Sequence, residues 1–378
     1  MGRTVIDRTE ESAGGASRAS RRDVLRLAIG GGAGIVLTVH MGSHVFATTE
    51  GGVSLPANAT PEEGTPVGSA GKLTIYCGRN ENLVGALIGD FEPDTGVDAE
   101  VRYGDTAELA ATILDEGKNS PTDLYFSQDA GALGALEKHG LLEQLPDDVL
   151  EKVDTRFRSK EGVWIGTSAR VRVAVYNTDM IQEADLPSSV LDFVDPKWKG
   201  KIGWAPENAS FQAFVTCLRK TKGEDAARAW LEDMQKNEPK VFQDNGSITR
   251  AVGAGEFPVG LVNHYYMYEV QAEDQKTLPL ANHYFAPGDP GTLINVAGIA
   301  VLKTAKNKDQ AFTFARFLLG DEAQKFFAEH TFEYPIIPTI PPSKDLKPLA
   351  EIRSPDVDLS DLDDLEGTIA LLTDLGIL

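Results

Sequence analysis

From residue 72 onward, apolar and polar positions alternate between short runs and helical spacings. KLTIYCG is a brief apolar run stopped by glycine, as a buried strand is. In NLVGALIGDFEPDTG, Leu83, Leu87 and Phe91 recur at helical spacing before a glycine stop. VDAEVRYG alternates with the period of a strand, TAELAATILDEG is helical again, TDLYFSQ is strand-like and AGALGALEKHGLL helical. Strands and helices alternating at this spacing predict an α/β domain with a mainly parallel sheet. Ligands of such sheets sit outside the carboxyl ends of the strands. The strand ends at 77–80, 104–106 and 127–130 are therefore the places to look.

A second set of elements follows. VRVAVYN predicts a strand at the point where the chain crosses between two lobes. SSVLDFVDPKWKGKIGWAP predicts a helix and a strand, and SFQAFVTCLRKTKGEDAARAWLEDMQKN two amphipathic helices. PVGLVNHYY and NVAGIAVLKTA read as strands, and DQAFTFARFLLGDEAQKFFAEHTFEYP as two more helices. A chain of 378 residues is long enough for two such cores.

The first 71 residues follow another pattern. Arg21 and Arg22 precede a moderately apolar, glycine-rich run at 24–39. That order predicts a twin-arginine export signal within 1–46. The run is short of the ~20 apolar residues of a membrane span, and no Gly-Lys-Ser or Gly-Lys-Thr follows to make a phosphate loop. No cysteine follows to carry a lipid, so the segment is either cleaved or kept as an N-terminal membrane tether. Residues 47–71 hold almost nothing to bury and predict a disordered linker.

Composition narrows the partners. The chain has 57 acidic against 36 basic residues, a formal net charge of −21. Such a surface repels nucleic acid and suits high salt, where screening shortens self-repulsion. Cys77 and Cys217 form no Cys-x-x-Cys motif. No usable Gly-x-Ser-x-Gly, His-Glu-x-x-His or Ser-x-x-Lys set occurs, so the chain is not read as an enzyme.

The densest candidate chemistry is VNHYYMYEV, residues 262–270. Three of the nine tyrosines and one of the six histidines fall between His264 and Tyr268. Adjacent residues of a flat strand point to opposite faces. Tyr265 and Tyr266 can serve one ligand only if the strand ends there and the backbone turns. The other reading is an aromatic cluster, with Tyr265 and Tyr268 an i, i+3 pair of a helix packed into core.

Several motifs then line up in one order: LTIYCGRNENL, AEVRYGDTAEL, SPTDLYFSQDAGALGAL, ARVRVAVYNTDMI, GKIGWAPENASFQAFV, GLVNHYY and EYPIIP. With them the chain from Lys72 resembles the ferric-iron-binding substrate-binding proteins of ABC transporters. The resemblance implies a two-lobed periplasmic-binding-protein-like α/β fold with a hinge, each lobe a mainly parallel sheet flanked by helices. Lobe 1 is expected at 72–171 plus 296–346, and lobe 2 at 172–295 plus 347–378. It further implies an exported monomer that captures Fe(III) with carbonate or phosphate as synergistic anion. The cargo would pass to an ABC permease and its ATPase, with no nucleic-acid partner. The alternative is a binding protein of the same fold for a polyamine, thiamine or an organophosphonate.

The family likeness maps Tyr265 and Tyr266 as the iron ligands. Fe(III) is hard and prefers anionic oxygen. A phenol ordinarily ionises near pH 10, so the metal itself must drive the protons off. The chain departs from the family elsewhere. Positions that carry His and Glu in one branch are Asn80 and Gln128 here, and Asn208, Ala209 and Ser210 stand where another branch has a tyrosine. Tyr76, Tyr103 and Asp129 are left as extra ligand candidates. Asn245 and Asn263 match the spacing of anion-holding amides. Ser210 sits at a helix start, which favours anions. Arg79 and Arg172 offer planar forks, with Gln128 beside them, and His264 is expected to support the tyrosines rather than bind metal.

Overall fold

A computed structural model describes residues 71–343 and 346–378. The export signal expected at 1–46, and the linker at 47–71 apart from Gly71, lie outside the described residues. The strands and helices come in the order β1 (Gly71–Cys77), α1 (Glu81–Thr95), β2 (Val97–Tyr103), α2 (Thr106–Glu116), β3 (Leu124–Ser127), α3 (Ala130–Lys138), α4 (Asp147–Leu150) and β4 (Trp164–Asn177). Then come β5 (Ile202–Trp204), α5 (Ala209–Lys222), α6 (Glu224–Lys236), β6 (Lys240–Val241), α7 (Asn245–Gly253), β7 (Val259–Asn263), α8 (Tyr266–Glu273) and β8 (Leu280–His283). The chain closes with β9 (Ile294–Val301), α9 (Lys308–Leu318), α10 (Asp321–Glu329), β10 (Tyr334–Pro335) and α11 (Leu365–Asp374).

The sheet order is β2-β1-β3-β9-β4-β7-β5-β6, with β8 and β10 also pairing with β4. All 14 residues of β4 are buried. Its first half, Trp164 to Val171, runs antiparallel to β9 and touches β10. Its second half, from Arg172 on, pairs instead with β7 and β8. One strand thus serves two sheets and changes partners at Val171–Arg172. Parallel pairing holds for the outer strands, β1 with β2 and β3, and β5 with β6 and β7. The expectation of mainly parallel sheets needs correcting at the shared strand, where β4 and β9 pair antiparallel.

Each half closes on aromatic side chains. Phe91, Phe314 and Phe317 meet edge to face or stacked over the first sheet. Trp204, Phe211, Phe214 and Trp230 form a chain of contacts in the second. Fully burying one such side chain is worth about 1.5–3 kcal/mol. The helix starts follow the sequence closely. Asn80, Asp105, Asp129, Asn208 and Asp244 each accept a backbone N–H at the start of α1, α2, α3, α5 and α7. Gly96 closes α1 with φ 75°.

The helix expected in SSVLDFVDPKWKG is instead two 3₁₀ turns, Val190–Val194 and Pro196–Trp198. Pro196 cannot continue a helix, and Asp195 starts the second turn by accepting from Lys197 N–H. The C-terminal tail does not keep to one lobe. Its 3₁₀ turn Leu359–Asp363 lies on α3, where a Cβ on Gly131 or Gly134 would sit 2.4 Å and 2.2 Å from the carbonyls of Leu362 and Ser360. The next element, α11, packs on α5, with Thr368 Oγ1 2.7 Å from Thr216 Oγ1. No helix among the described residues is long and apolar enough to cross a membrane.

Candidate functional site

β7 ends at Asn263, and α8 begins at Tyr266. Tyr265 holds the position before the helix with φ −74° and ψ −24°. Strand therefore gives way to helix within two residues, and both phenols turn to one side. Their ring centroids are 4.4 Å apart at 30°, and their side chains hydrogen-bond to each other. Both are deeply set. Burial and the neighbouring Tyr266 hold the Tyr265 hydroxyl well above its ordinary ionisation, and burial raises Tyr266 as well. Tyr268 turns away and stacks on Phe332.

His264 is fully buried and its ring is spent. Its Nδ1 accepts from Val171 N–H at 3.1 Å, and Nε2 donates to the Phe332 carbonyl at 3.0 Å. Its own N–H donates to Val171 O at 2.9 Å. The imidazole takes a strand's place at the point where β4 changes partners. Burial lowers its ionisation to about 4, so it is a neutral prop, edge-on to Tyr265.

On the second-lobe side a polar network flanks Tyr266. Arg172 donates to Ser210 Oγ at 3.2 Å and to Leu261 O at 2.9 Å, over the rings of Phe211 and Phe214. Burial lowers its guanidinium to about 9, partly offset by the tyrosine charges. Asn245 Nδ2 donates to Ser210 Oγ at 2.9 Å and to Asn208 Oδ1 at 3.2 Å, its side chain bonds Tyr266, and its Oδ1 is buried without a partner. Asn263 is buried opposite Arg172 across the strands.

The sequence reading missed Arg170. It lies on β4 opposite Asn295, is 3% exposed, and its Nη1 is buried with no partner. Its charge bears on both phenols, favouring their ionised forms. The signal was present: ARVRV places Arg170 and Arg172 on one face of an otherwise apolar strand.

Of the remaining candidates, Arg79, Tyr76 and Asp129 have side chains bonded elsewhere. Arg79 forks onto Glu333 at 3.2 and 2.8 Å and touches Ser168 Oγ at 3.3 Å. Tyr76 donates to Glu116 at 3.1 Å beneath Arg102. Tyr103 is pushed up to about 12 by burial and by Cys77 and Glu81. Asp129 caps α3, and Gln128 donates its backbone N–H to Thr106 Oγ1. Glu269, which the sequence reading passed over, sits on α8 three residues past Tyr266; burial, then Glu273 and Glu333, push its carboxyl up to about 7. Cys77 and Cys217 are buried free thiols. Among the described residues no group of three or more His, Cys, Asp or Glu could hold a metal. A metal here would rest on phenol oxygen.

The family described as bacterial extracellular solute-binding protein matches residues 119–359. The Fe(3+)-binding periplasmic protein of Serratia marcescens is 33% identical over 310 residues, covering 81% of this chain and 90% of that protein. Iron-bound HitA from Pseudomonas aeruginosa superposes with a TM-score of 0.76 at 34% identity, over 81% of this chain and 99% of that one. The Trichodesmium protein IdiA (FutA), in complex with iron and citrate, superposes at 0.70 with 29% identity, over 81% and 99%.

Proposed function

The chain belongs to the bacterial extracellular solute-binding proteins, and from that premise we propose that it captures ferric iron between its lobes on Tyr265 and Tyr266. The observation that carries this reading is the close, mutually bonded phenol pair, with the charge of Arg170, whose Nη1 is buried without a partner, bearing on both phenols. Burial disfavours tyrosinate in the empty protein. Only a strongly charged hard cation offsets that cost, which selects against weaker Lewis acids and couples binding to proton release. Two phenolates balance two of the three iron charges. A synergistic anion such as carbonate, phosphate or citrate supplies more, held by Arg170 with Ser210, Arg172 and Asn245 around Tyr266. The exported protein then delivers iron to an ABC permease and its ATPase. It is a binding protein and not an enzyme, as the named relatives are.

The test is colour. Metal-free full-length protein takes Fe(III) with carbonate, phosphate or citrate, and the visible spectrum is recorded. A phenolate-to-iron charge-transfer band is expected, lost in a Tyr265→Phe/Tyr266→Phe double variant. A colourless folded wild type with every anion would remove iron and send the search to polyamine, thiamine and phosphonate ligands.

A further inference from the structure

We propose that Glu269 is a third protein oxygen ligand for the metal held by Tyr265 and Tyr266, an inference that rests on the iron reading above. Glu269 is four residues after Tyr265 and three after Tyr266, so one helical position neighbours both phenols. Its N–H donates to Tyr265 O at 3.0 Å, which fixes that turn. Helical side chains lean toward the N-terminus, so the Glu269 side chain leans toward the turn that carries Tyr265 and Tyr266. The charge of Glu269 acts on Tyr266, and Glu333 acts on both Glu269 and Tyr265.

The carboxylate is also uncommitted. Glu269 is partly buried, and its side chain has no hydrogen bond or ion pair among the described residues. Arg250, whose charge bears on Glu269, is taken by Glu273 and Asp274. Glu333 is no substitute, because Arg79, Ser168 and Thr331 hold it. A partly buried carboxylate without a partner is costly unless something positive meets it. Of the anionic oxygens around the pair, Glu269 alone is both adjacent and free. It brings the protein's negative charges to three, equal to the charge of the ferric ion. Tyr76 is tied to Glu116 and Asp129 to the start of α3.

The experiment compares wild type, Glu269→Gln and Glu273→Gln, each full-length and metal-free, loaded with ferric nitrilotriacetate. Thermal melts before loading report folding. In Glu269→Gln the charge-transfer band should move to longer wavelength, because loss of an anionic donor leaves the iron more electron-poor. Iron should also be released to citrate at least tenfold more readily, the scale on which even supporting groups act. Glu273→Gln should match wild type. An infrared difference spectrum of the loaded wild type should carry a coordinated-carboxylate band that Glu269→Gln lacks. An unmoved band overturns the proposal, and so does weaker binding with an unmoved band, since Glu269 would then act by charge at a distance. A colourless wild type sinks the iron reading itself, and the two failures are thereby told apart.

Discussion

Arg79 and Glu333 are 254 residues apart in sequence, and both lie buried in a two-point ion pair. Ser168 and Thr331 satisfy the carboxylate further, each at 3.1 Å. Breaking such a pair strands the other charge, so Glu333→Gln should cost about 3–5 kcal/mol in urea unfolding. Burial raises the Glu333 carboxyl, but the Arg79 charge and hydrogen bond outweigh it and hold it below its ordinary 4.5. A carboxylate depressed in the folded state contributes stability above its unfolded value and loses it as pH falls through the folded one. Wild-type stability should therefore drop below pH 4.5 more steeply than that of Glu333→Gln; parallel curves would refute this. The pair also marks a limit of sequence reading. Arg79 was a sound anion candidate until its distant partner was known, and Arg170 was passed over although it shares a strand face with Arg172, because its lack of a partner shows only in the fold. Tyr265, Tyr266 and His264 were legible because their signal is local, a strand ending in a polar aromatic turn.

Helices and strands were mostly legible for the same reason, since period and stop residues sit within each element. What escaped was set by distant chain. α3 carries Gly131 and Gly134, which sequence alone reads as weak helix positions. The structure gives their purpose: the carbonyls of Leu362 and Ser360 occupy the space a Cβ would take. Gly134→Ala must push backbone aside and should destabilise by about 1–3 kcal/mol despite its better helix propensity. Gly89, inside α1 with nothing within 4 Å of a built Cβ, supplies the opposite case. Gly89→Ala should stabilise by about 0.5–1 kcal/mol. Paired urea midpoints moving in opposite directions would verify both, and a stabilised Gly134→Ala would show that the tail does not press on α3. Nothing in the tail's sequence says which helix each half meets.

At the scale of the whole molecule, the tail is a second tie between lobes that already share β4. Asp363 pairs with Lys138 of α3 at 2.7 Å, and the very next residue, Asp364, pairs with Arg219 of α5 at 2.8 Å. No slack separates the two anchors. Salt pulls on this arrangement in two directions. Exposed pairs such as Lys138–Asp361 and Lys160–Asp358 are worth about 0.2–1 kcal/mol each and weaken as salt rises. A net charge of −21 repels itself, and that repulsion also fades, because the screening length falls from about 10 Å at 0.1 M to about 3 Å at 1 M. The buried Arg79–Glu333 pair is shielded from either effect. The surface pairs are weak one by one, and the excess of acidic over basic residues leaves many carboxylates without a cation, so the melting temperature should climb across that salt range. The tail should meanwhile become easier to cleave with protease, since its anchors are the pairs that salt weakens. A melting temperature that falls with salt would mean the surface pairs outweigh the self-repulsion, and the tail's ion pairs would then be the main electrostatic hold on the fold.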